Sequence, residues 1–377
     1  MTQPNHTSYH WLCHGDEAFP AMLHAIGQAA RSVHLETYHF EECPLGESFL
    51  QALIQARQRQ VEVQVVIDFL GSKTLRSGFW DPLIRAGGRF RWFNPWNPLT
   101  LGIRNHRKIL VCDRQTAFVG GFNIAPSYVG DGVTQGWRDL GLQINGPLAD
   151  ILADCVEYSF ERADFKHNPL HRLRRSFSNL KRSDENWTLL LGGPGRGRKY
   201  IKRDIARGIR LGRSVKIISA YFLPTWSIRR ELLRKPRHGG DVQLILPEKT
   251  DIALTKMATR CLYGRFLRAG VRIHEYRPQI LHAKLIIIDD DVYVGSCNLD
   301  RRSLNINYEI LIKITDATLA REARTLFARD LQHCRPIHRS AWKKARPFWQ
   351  RWFGRMAYFL LARLDPYLSQ LASREVP

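Results

Sequence analysis

Short apolar runs, about the length of buried strands, alternate along the chain with stretches whose apolar residues recur at helical spacing. Arg31-Ser32-Val33-His34-Leu35-Glu36-Thr37-Tyr38 follows a helical stretch near 21–30 and reads as a strand. A second strand is predicted at 61–67, and 86–93 leads into a third. The same order then returns. A helical stretch near 202–211 precedes Arg213-Ser214-Val215-Lys216-Ile217-Ile218-Ser219-Ala220-Tyr221, with further strands at 241–246 and 269–276. Strands alternating with helices predict an α/β fold, here two similar lobes, each a mixed, largely parallel sheet flanked by helices. The repeat is too long for a solenoid. A duplicated lobe with a pseudo-two-fold axis is the economical arrangement.

Each lobe carries the same short pattern. His106-Arg107-Lys108 is followed by Asp113, and His282-Ala283-Lys284 by Asp289, so both read His-x-Lys-x4-Asp. Each then reaches a turn of small residues and an asparagine, Gly120-Gly121-Phe122-Asn123 and Gly295-Ser296-Cys297-Asn298. Residues two apart share a face of a strand, so His and Lys are expected side by side. One copy could arise by chance; two, each with its turn and Asn, argue for a site.

Composition narrows the chemistry. The 377 residues exceed a typical single core, and 44% are hydrophobic, as in globular proteins. Lys and Arg number 57 against 35 Asp and Glu, leaving +22, which implies an anionic partner: nucleic acid, an acidic membrane or a phosphate-bearing substrate. The seven cysteines are scattered, without a Cys-x2-Cys pair or zinc-ligand spacing, and read as buried thiols of a reducing compartment. The N-terminus lacks an apolar signal core, and no apolar run reaches the ~18–20 residues of a membrane span.

The predicted divisions are a first lobe at 1–164, a linker at 165–186, a second lobe at 187–335 and a tail at 336–377. The linker is basic, with His171-Arg172-Leu173-Arg174-Arg175 at its centre, and is read as exposed. Gly192-Gly193-Pro194-Gly195-Arg196-Gly197 lacks the Gly-Lys-Ser/Thr ending of a nucleotide loop and is read as a turn. The tail mixes basic residues with aromatics. Trp342, Lys343, Lys344, Trp349, Arg351 and Trp352 suit the interface of an anionic bilayer, whereas a terminal helix packed on the lobes is the alternative.

Two imidazoles, two ammoniums and two carboxamides suit chemistry on a phosphodiester. One histidine, neutral, attacks phosphorus while the other, protonated, supplies a proton to the leaving oxygen; no metal or other cofactor is required. A carboxylate on the far ring nitrogen would fix each tautomer, and Asp139 and Glu309 are the candidates. Lys108, Lys284, Asn123 and Asn298 would stabilise the phosphoryl oxygens. Asp113 and Asp289 are expected to anchor backbone rather than to act in catalysis. Tyr38, Tyr221 and Phe222 follow inner strands, where pocket lining and core packing are both open.

These residues make the chain resemble the phospholipase D superfamily, from about residue 21 to 334. Gly295-Ser296-Cys297-Asn298-Leu299-Asp300-Arg301-Arg302-Ser303 with Asn307 and Glu309, and Ala220-Tyr221-Phe222-Leu223-Pro224, look most like bacterial cardiolipin synthases of the short type without N-terminal membrane helices. The resemblance implies His106 as nucleophile and His282 as general acid, with Glu309 supporting His106 and Asp139 supporting His282 across the lobes. It implies phosphatidylglycerol as substrate, cardiolipin as product, an anionic phospholipid membrane as partner and a peripheral place on the cytoplasmic face of the bacterial inner membrane. The competing expectations are a metal-independent nuclease, with +22 as its footprint on nucleic acid, and a phospholipid hydrolase with water as acceptor. A scaffold without activity fits less well, because both His/Lys/Asn sets are complete.

Overall fold

The computed structural model describes residues 7–95, 102–163, 181–194, 200–344 and 348–361. The chain divides into two compact units that part between Phe177 and Ser178. In the first unit, β1 (Ser8–Leu12), α1 (Gly15–Gln28), β2 (Ser32–Thr37), α2 (Pro44–Gln58), β3 (Glu62–Asp68), α3 (Asp81–Arg85) and β4 (Arg89–Phe93) precede the first motif. After it come β5 (Ile109–Cys112), β6 (Thr116–Gly120), β7 (Gly141–Asn145) and α4 (Pro147–Glu161). The sheet order is β1-β7-β6-β5-β2-β3-β4.

The second unit opens with β8 (Lys181–Ser183) and β9 (Trp187–Gly192), then α5 (Tyr200–Leu211), β10 (Ser214–Ser219), α6 (Trp226–Arg234), β11 (Asp241–Pro247), α7 (Ala253–Arg268) and β12 (Arg272–Tyr276). β13 (Lys284–Ile288), β14 (Asp291–Gly295), α8 (Arg301–Asn305), β15 (Glu309–Thr315), α9 (Ala317–Gln332), β16 (Cys334–Pro336), α10 (Arg339–Lys344) and α11 (Phe348–Phe359) follow. Its sheet order is β16-β12-β11-β10-β13-β14-β15-β9-β8. The central order β12-β11-β10-β13-β14-β15 repeats β4-β3-β2-β5-β6-β7 of the first unit.

Both sheets are mixed, but less of each is parallel than the helix–strand alternation predicts. Parallel pairing is confined to β2-β3-β4 and β10-β11-β12, where helices make the crossovers. From β5 to β6 and from β13 to β14 a tight turn replaces the helix, so those pairs are antiparallel. The helices bury one stripe each. On α5 the buried residues are Ile201, Ile205 and Ile209, one turn apart, while Lys and Arg occupy other positions. Each such side chain stabilises the fold by about 1.5–3 kcal/mol.

Two expectations about the edges of the lobes need correction. Most of the basic linker lies outside the described residues, but its end is not exposed coil: Lys181–Ser183 pairs antiparallel with Thr188–Leu190 as the last strand of the second sheet. Nor is the tail wholly separate from the second lobe. Trp342 packs on Tyr263 with ring centroids 4.9 Å apart, Ala357 is buried in the second core, and the Tyr358 hydroxyl accepts a hydrogen bond from Arg229 at 2.7 Å. Gly354, Ala357, Tyr358 and Leu361 fall on one helical stripe, which explains the docking. The opposite stripe of α11, with Trp352, Phe353, Met356 and Phe359, is exposed.

Candidate active site

Each motif stands at the entrance to a central strand. β5 begins three residues after His106 and β13 two residues after His282. The strand cores are wholly apolar, Ile109 to Cys112 and Leu285 to Ile288, and burial on both faces fixes where each strand starts. Beyond the strands, Asp113 and Asp289 adopt left-handed backbone, with φ of 55° and 52°. Their carboxylates turn back to accept hydrogen bonds from the N–H groups of Ala30, Arg31 and Ser32 in one lobe and of Arg213 and Ser214 in the other. Both aspartates therefore tie a β-turn to the start of the neighbouring strand.

In the first lobe, Lys108 is buried and its Nζ donates to the His106 carbonyl at 2.7 Å. Tyr38 leans edge-on against the His106 ring, 5.0 Å between centroids, and offers its face to Lys108 Nζ at 5.3 Å. Asn123 is buried, with Oδ1 accepting from the His39 N–H at 3.2 Å and Nδ2 donating to the Tyr128 hydroxyl at 2.6 Å. The amide nitrogen carries two hydrogens, so this bond engages one of them. Asp139 is wholly buried, and its Oδ1 accepts from the Leu140 N–H at 2.8 Å. Its proximity explains Gly121: a Cβ there would lie 2.1 Å from Asp139 Oδ1.

The second lobe repeats this set with changes. Lys284 Nζ donates to the His282 carbonyl and lies 2.9 Å from His282 Nδ1. Ser296, in the place of Gly121, donates its hydroxyl to Glu309 Oε2. Asn298 is buried, and its Oδ1 has no hydrogen-bond partner among the described residues. Sheet register makes the two acids equivalent. Asp139 stands two residues before Gly141, which faces Gly120, and Glu309 two before Leu311, which faces Gly295. In both lobes a carboxylate thus sits under the small-residue turn that leads to the asparagine. Among the described residues, no group of three or more His, Cys, Asp or Glu is placed to hold a metal ion.

A buried scaffold around His106 was not anticipated. Asn105 donates its N–H to Asp68 Oδ2 at 2.8 Å and its side-chain amide to Glu36 Oε1 at 2.5 Å. Asp68 also accepts from the Gly71 N–H at 3.0 Å and faces Arg104 at 3.6 Å. Burial pushes the Asp68 carboxyl up to about 6, with Arg104 and the N–H bonds opposing the rise; burial likewise raises Glu36. Arg107 is buried and donates to Ser159 Oγ at 3.3 Å. The available signal was an Asp closing a hydrophobic strand, together with charged residues on both sides of the motif histidine.

The family described as "Cardiolipin synthase, PLD-like domain" matches residues 22–150 and 209–331, one match per lobe. The chain belongs to this family. The major cardiolipin synthase of Bacillus subtilis (strain 168) is 32% identical over 345 residues, which cover 89% of this chain and 71% of that protein. Cardiolipin synthase B of Salmonella typhi is 32% identical over 333 residues, covering 83% and 78% respectively. Phosphatidylserine synthase of Haemophilus influenzae Rd KW20 superposes with a TM-score of 0.76 over 96% of this chain and 94% of that one; at 15% identity the likeness is one of fold. Membership makes this protein an enzyme of the phospholipase D type, a phosphatidyltransferase.

The residues expected at a membrane are not equivalent. Trp342 is partly buried against Tyr263, because α10 packs on α7, whereas Trp352 is 55% exposed. The side chains of Lys343, Lys344, Trp349 and Arg351 lie outside the described residues. No described helix is long and apolar enough to cross a membrane.

Proposed function

We propose that this enzyme forms cardiolipin from two molecules of phosphatidylglycerol through a phosphatidyl-histidine intermediate. The neutral imidazole of His106 attacks phosphorus and the P–O bond to the headgroup glycerol breaks. His282, entering as imidazolium, supplies the proton to the departing oxygen. Now neutral, His282 takes the proton from a hydroxyl of the second phosphatidylglycerol, that oxygen attacks phosphorus, and the P–N bond to His106 breaks. One cardiolipin and one glycerol leave, and the enzyme returns to its starting protonation state. Lys108, Lys284, Asn123 and Asn298 stabilise charge on the phosphoryl oxygens, while Glu309 and Asp139 orient His106 and His282 respectively.

The observation that carries this reading is the repetition of His, Lys, Asn and a buried carboxylate at matching sheet positions in two lobes of a cardiolipin synthase family chain. A single nucleophile would not require both sets. Association with an anionic bilayer is proposed through the exposed stripe Trp352, Phe353, Met356 and Phe359, assisted by the +22 charge. The cytoplasmic face of the inner membrane is the corresponding place.

Purified enzyme on phosphatidylglycerol vesicles tests the reading, with phosphatidic acid and cardiolipin both quantified. Cardiolipin from wild type and none from His106→Ala is expected. Phosphatidic acid without cardiolipin would establish a hydrolase instead, and cleavage of nucleic acid with no lipid product would establish a nuclease.

A further inference from the structure

An open cavity of about 700 Å3 lies in the second lobe, lined by Glu248, Lys249, Thr250, Ala253, Lys256, Arg277 and Pro278. Its position follows from the sheet. β10, β11 and β12 run parallel, and Ser219 at the end of β10 pairs with Lys284 at the start of β13. His282, Glu248 after β11 and Arg277 after β12 therefore share one sheet edge. From β13 to β11 is two strand spacings, about 10 Å.

The cavity is cationic even after its acid is counted. Glu248 faces Arg277 at 3.4 Å and Arg335 at 3.2 Å. Glu275 behind it is held by Arg260 through two hydrogen bonds, 2.8 and 2.7 Å, by Arg335 at 3.0 Å and by the Tyr263 hydroxyl at 3.2 Å. Asp251 is engaged by the Tyr221 hydroxyl at 2.6 Å. Lys249 donates to the Pro278 carbonyl at 2.5 Å, which leaves its charge unneutralised. Lys256 has no hydrogen bond or ion pair with any described residue, and burial beside Arg260 lowers its pKa. Such an ammonium gains from an arriving anion. Exposed apolar side chains neighbour the lining residues in sequence: Ile252 and Leu254 on either side of Ala253, and Met257 next to Lys256. A site for free phosphate has no use for them, whereas a lipid headgroup brings hydrocarbon with its charge.

We infer that this cavity binds the phosphate of the acceptor phospholipid, holding an anionic headgroup so that its free hydroxyl reaches the sheet edge at His282. The inference rests on the transferase reading and adds to it a subsite that distinguishes a charged lipid acceptor from water or a neutral alcohol. Lys249 and Lys256 are its principal cations.

The test compares wild type with the double variant Lys249→Gln/Lys256→Gln on phosphatidylglycerol vesicles containing ethanol, quantifying cardiolipin and phosphatidylethanol together. Cardiolipin formation is expected to fall about tenfold or more, from loss of two charge-assisted contacts. Phosphatidylethanol formation, which uses the same donor and histidines but a neutral acceptor, is expected to stay within about twofold of wild type. Lys249→Arg/Lys256→Arg should restore most of the cardiolipin. An equal fall in both products, or no fall in either, overturns the inference. Inhibition of wild type by soluble glycerophosphate, with the double variant still making normal cardiolipin, would instead mark a site for free phosphate and also overturn it. Wild type that makes phosphatidylethanol but no cardiolipin would still be a phosphatidyltransferase, but it would refute cardiolipin as the product and the phospholipid-acceptor subsite with it.

Discussion

Where Ile109 enters the first sheet its neighbour on β2 is Glu36; where Leu285 enters the second, its neighbour on β10 is Ile218. The contrast continues around the motif. Asp68 corresponds to Pro247 at the ends of matching strands, and Arg104, Asn105 and Arg107 correspond to Ile280, Leu281 and Ala283 beside the histidines. Tyr38, which leans on His106, corresponds to Ala220. Both lobes keep the same reactive set, yet the first supports it on buried charge and hydrogen bonds and the second largely on hydrocarbon. Duplication thus repeats the chemistry without the packing beneath it. A polar network fixes direction as well as position, because each donor must meet its acceptor. Hydrocarbon fixes volume and leaves more freedom of angle. In the proposed mechanism that difference suits a nucleophile, His106, that must stay aligned with phosphorus and an acid, His282, that must serve two oxygens in turn.

The largest effect expected separates the two histidines. His106→Ala and His282→Ala should each lower turnover of phosphatidylglycerol by about four orders of magnitude. With a phosphodiester carrying a p-nitrophenolate leaving group, which departs without a proton, His282→Ala should recover first-turnover release of p-nitrophenolate and His106→Ala should not. Equal recovery, measured by rapid mixing, would erase the proposed asymmetry.

Next in size is the polar scaffold. Asp68→Ala removes the carboxylate facing buried Arg104 and the acceptor of the Asn105 N–H, at a cost of about 3–5 kcal/mol in urea unfolding. Ile218→Val, at the position that answers Glu36, should cost only about 1 kcal/mol. Similar losses in the two lobes would mean that their supports are equivalent after all.

Titration gives a third handle. Burial pushes His34 down to about 4, below its ordinary 6.5. Its contribution to stability is therefore complete above pH 6.5 and lost as pH falls toward 4. Asp68 and Asp300, pushed up to about 6 by burial, act in the opposite sense, weakening the fold as pH rises from about 4 to 6. His34→Gln removes the first effect only. Relative to this variant, wild type should lose about 3 kcal/mol between pH 7 and pH 4, followed by thermal unfolding across that range. Parallel pH profiles would show that His34 does not titrate as a buried base.

The smallest effect concerns Tyr38. Tyr38→Ala should reduce kcat about tenfold with little change in KM, through loss of the ring that steadies His106 and Lys108, while Tyr38→Phe stays near wild type. A loss confined to KM would place Tyr38 in substrate binding instead.

The sequence alone determined the repeated lobe, the central strands and the place of both His, Lys and Asn motifs on them, because these are written in local spacing. Alternating apolar runs define strands, and His-x-Lys with a small-residue turn and Asn survives in either copy. It also pointed to Asp139 and Glu309, through their place downstream of each motif. Only the tertiary structure put those acids beneath the turns, where Gly121 yields room to Asp139 and Ser296 bonds Glu309. It likewise decided that β5-β6-β7 and β13-β14-β15 are antiparallel, that Lys181–Ser183 is a strand, and that α11 docks by Ala357 and Tyr358 while exposing Trp352. The scaffold of Glu36, Asp68 and Asn105 draws on three segments far apart in the chain. The basic cavity joins the ends of β11 and β12 to α7. Periodicity reports which face of one element is buried; what that face meets depends on which distant segments the fold brings against it.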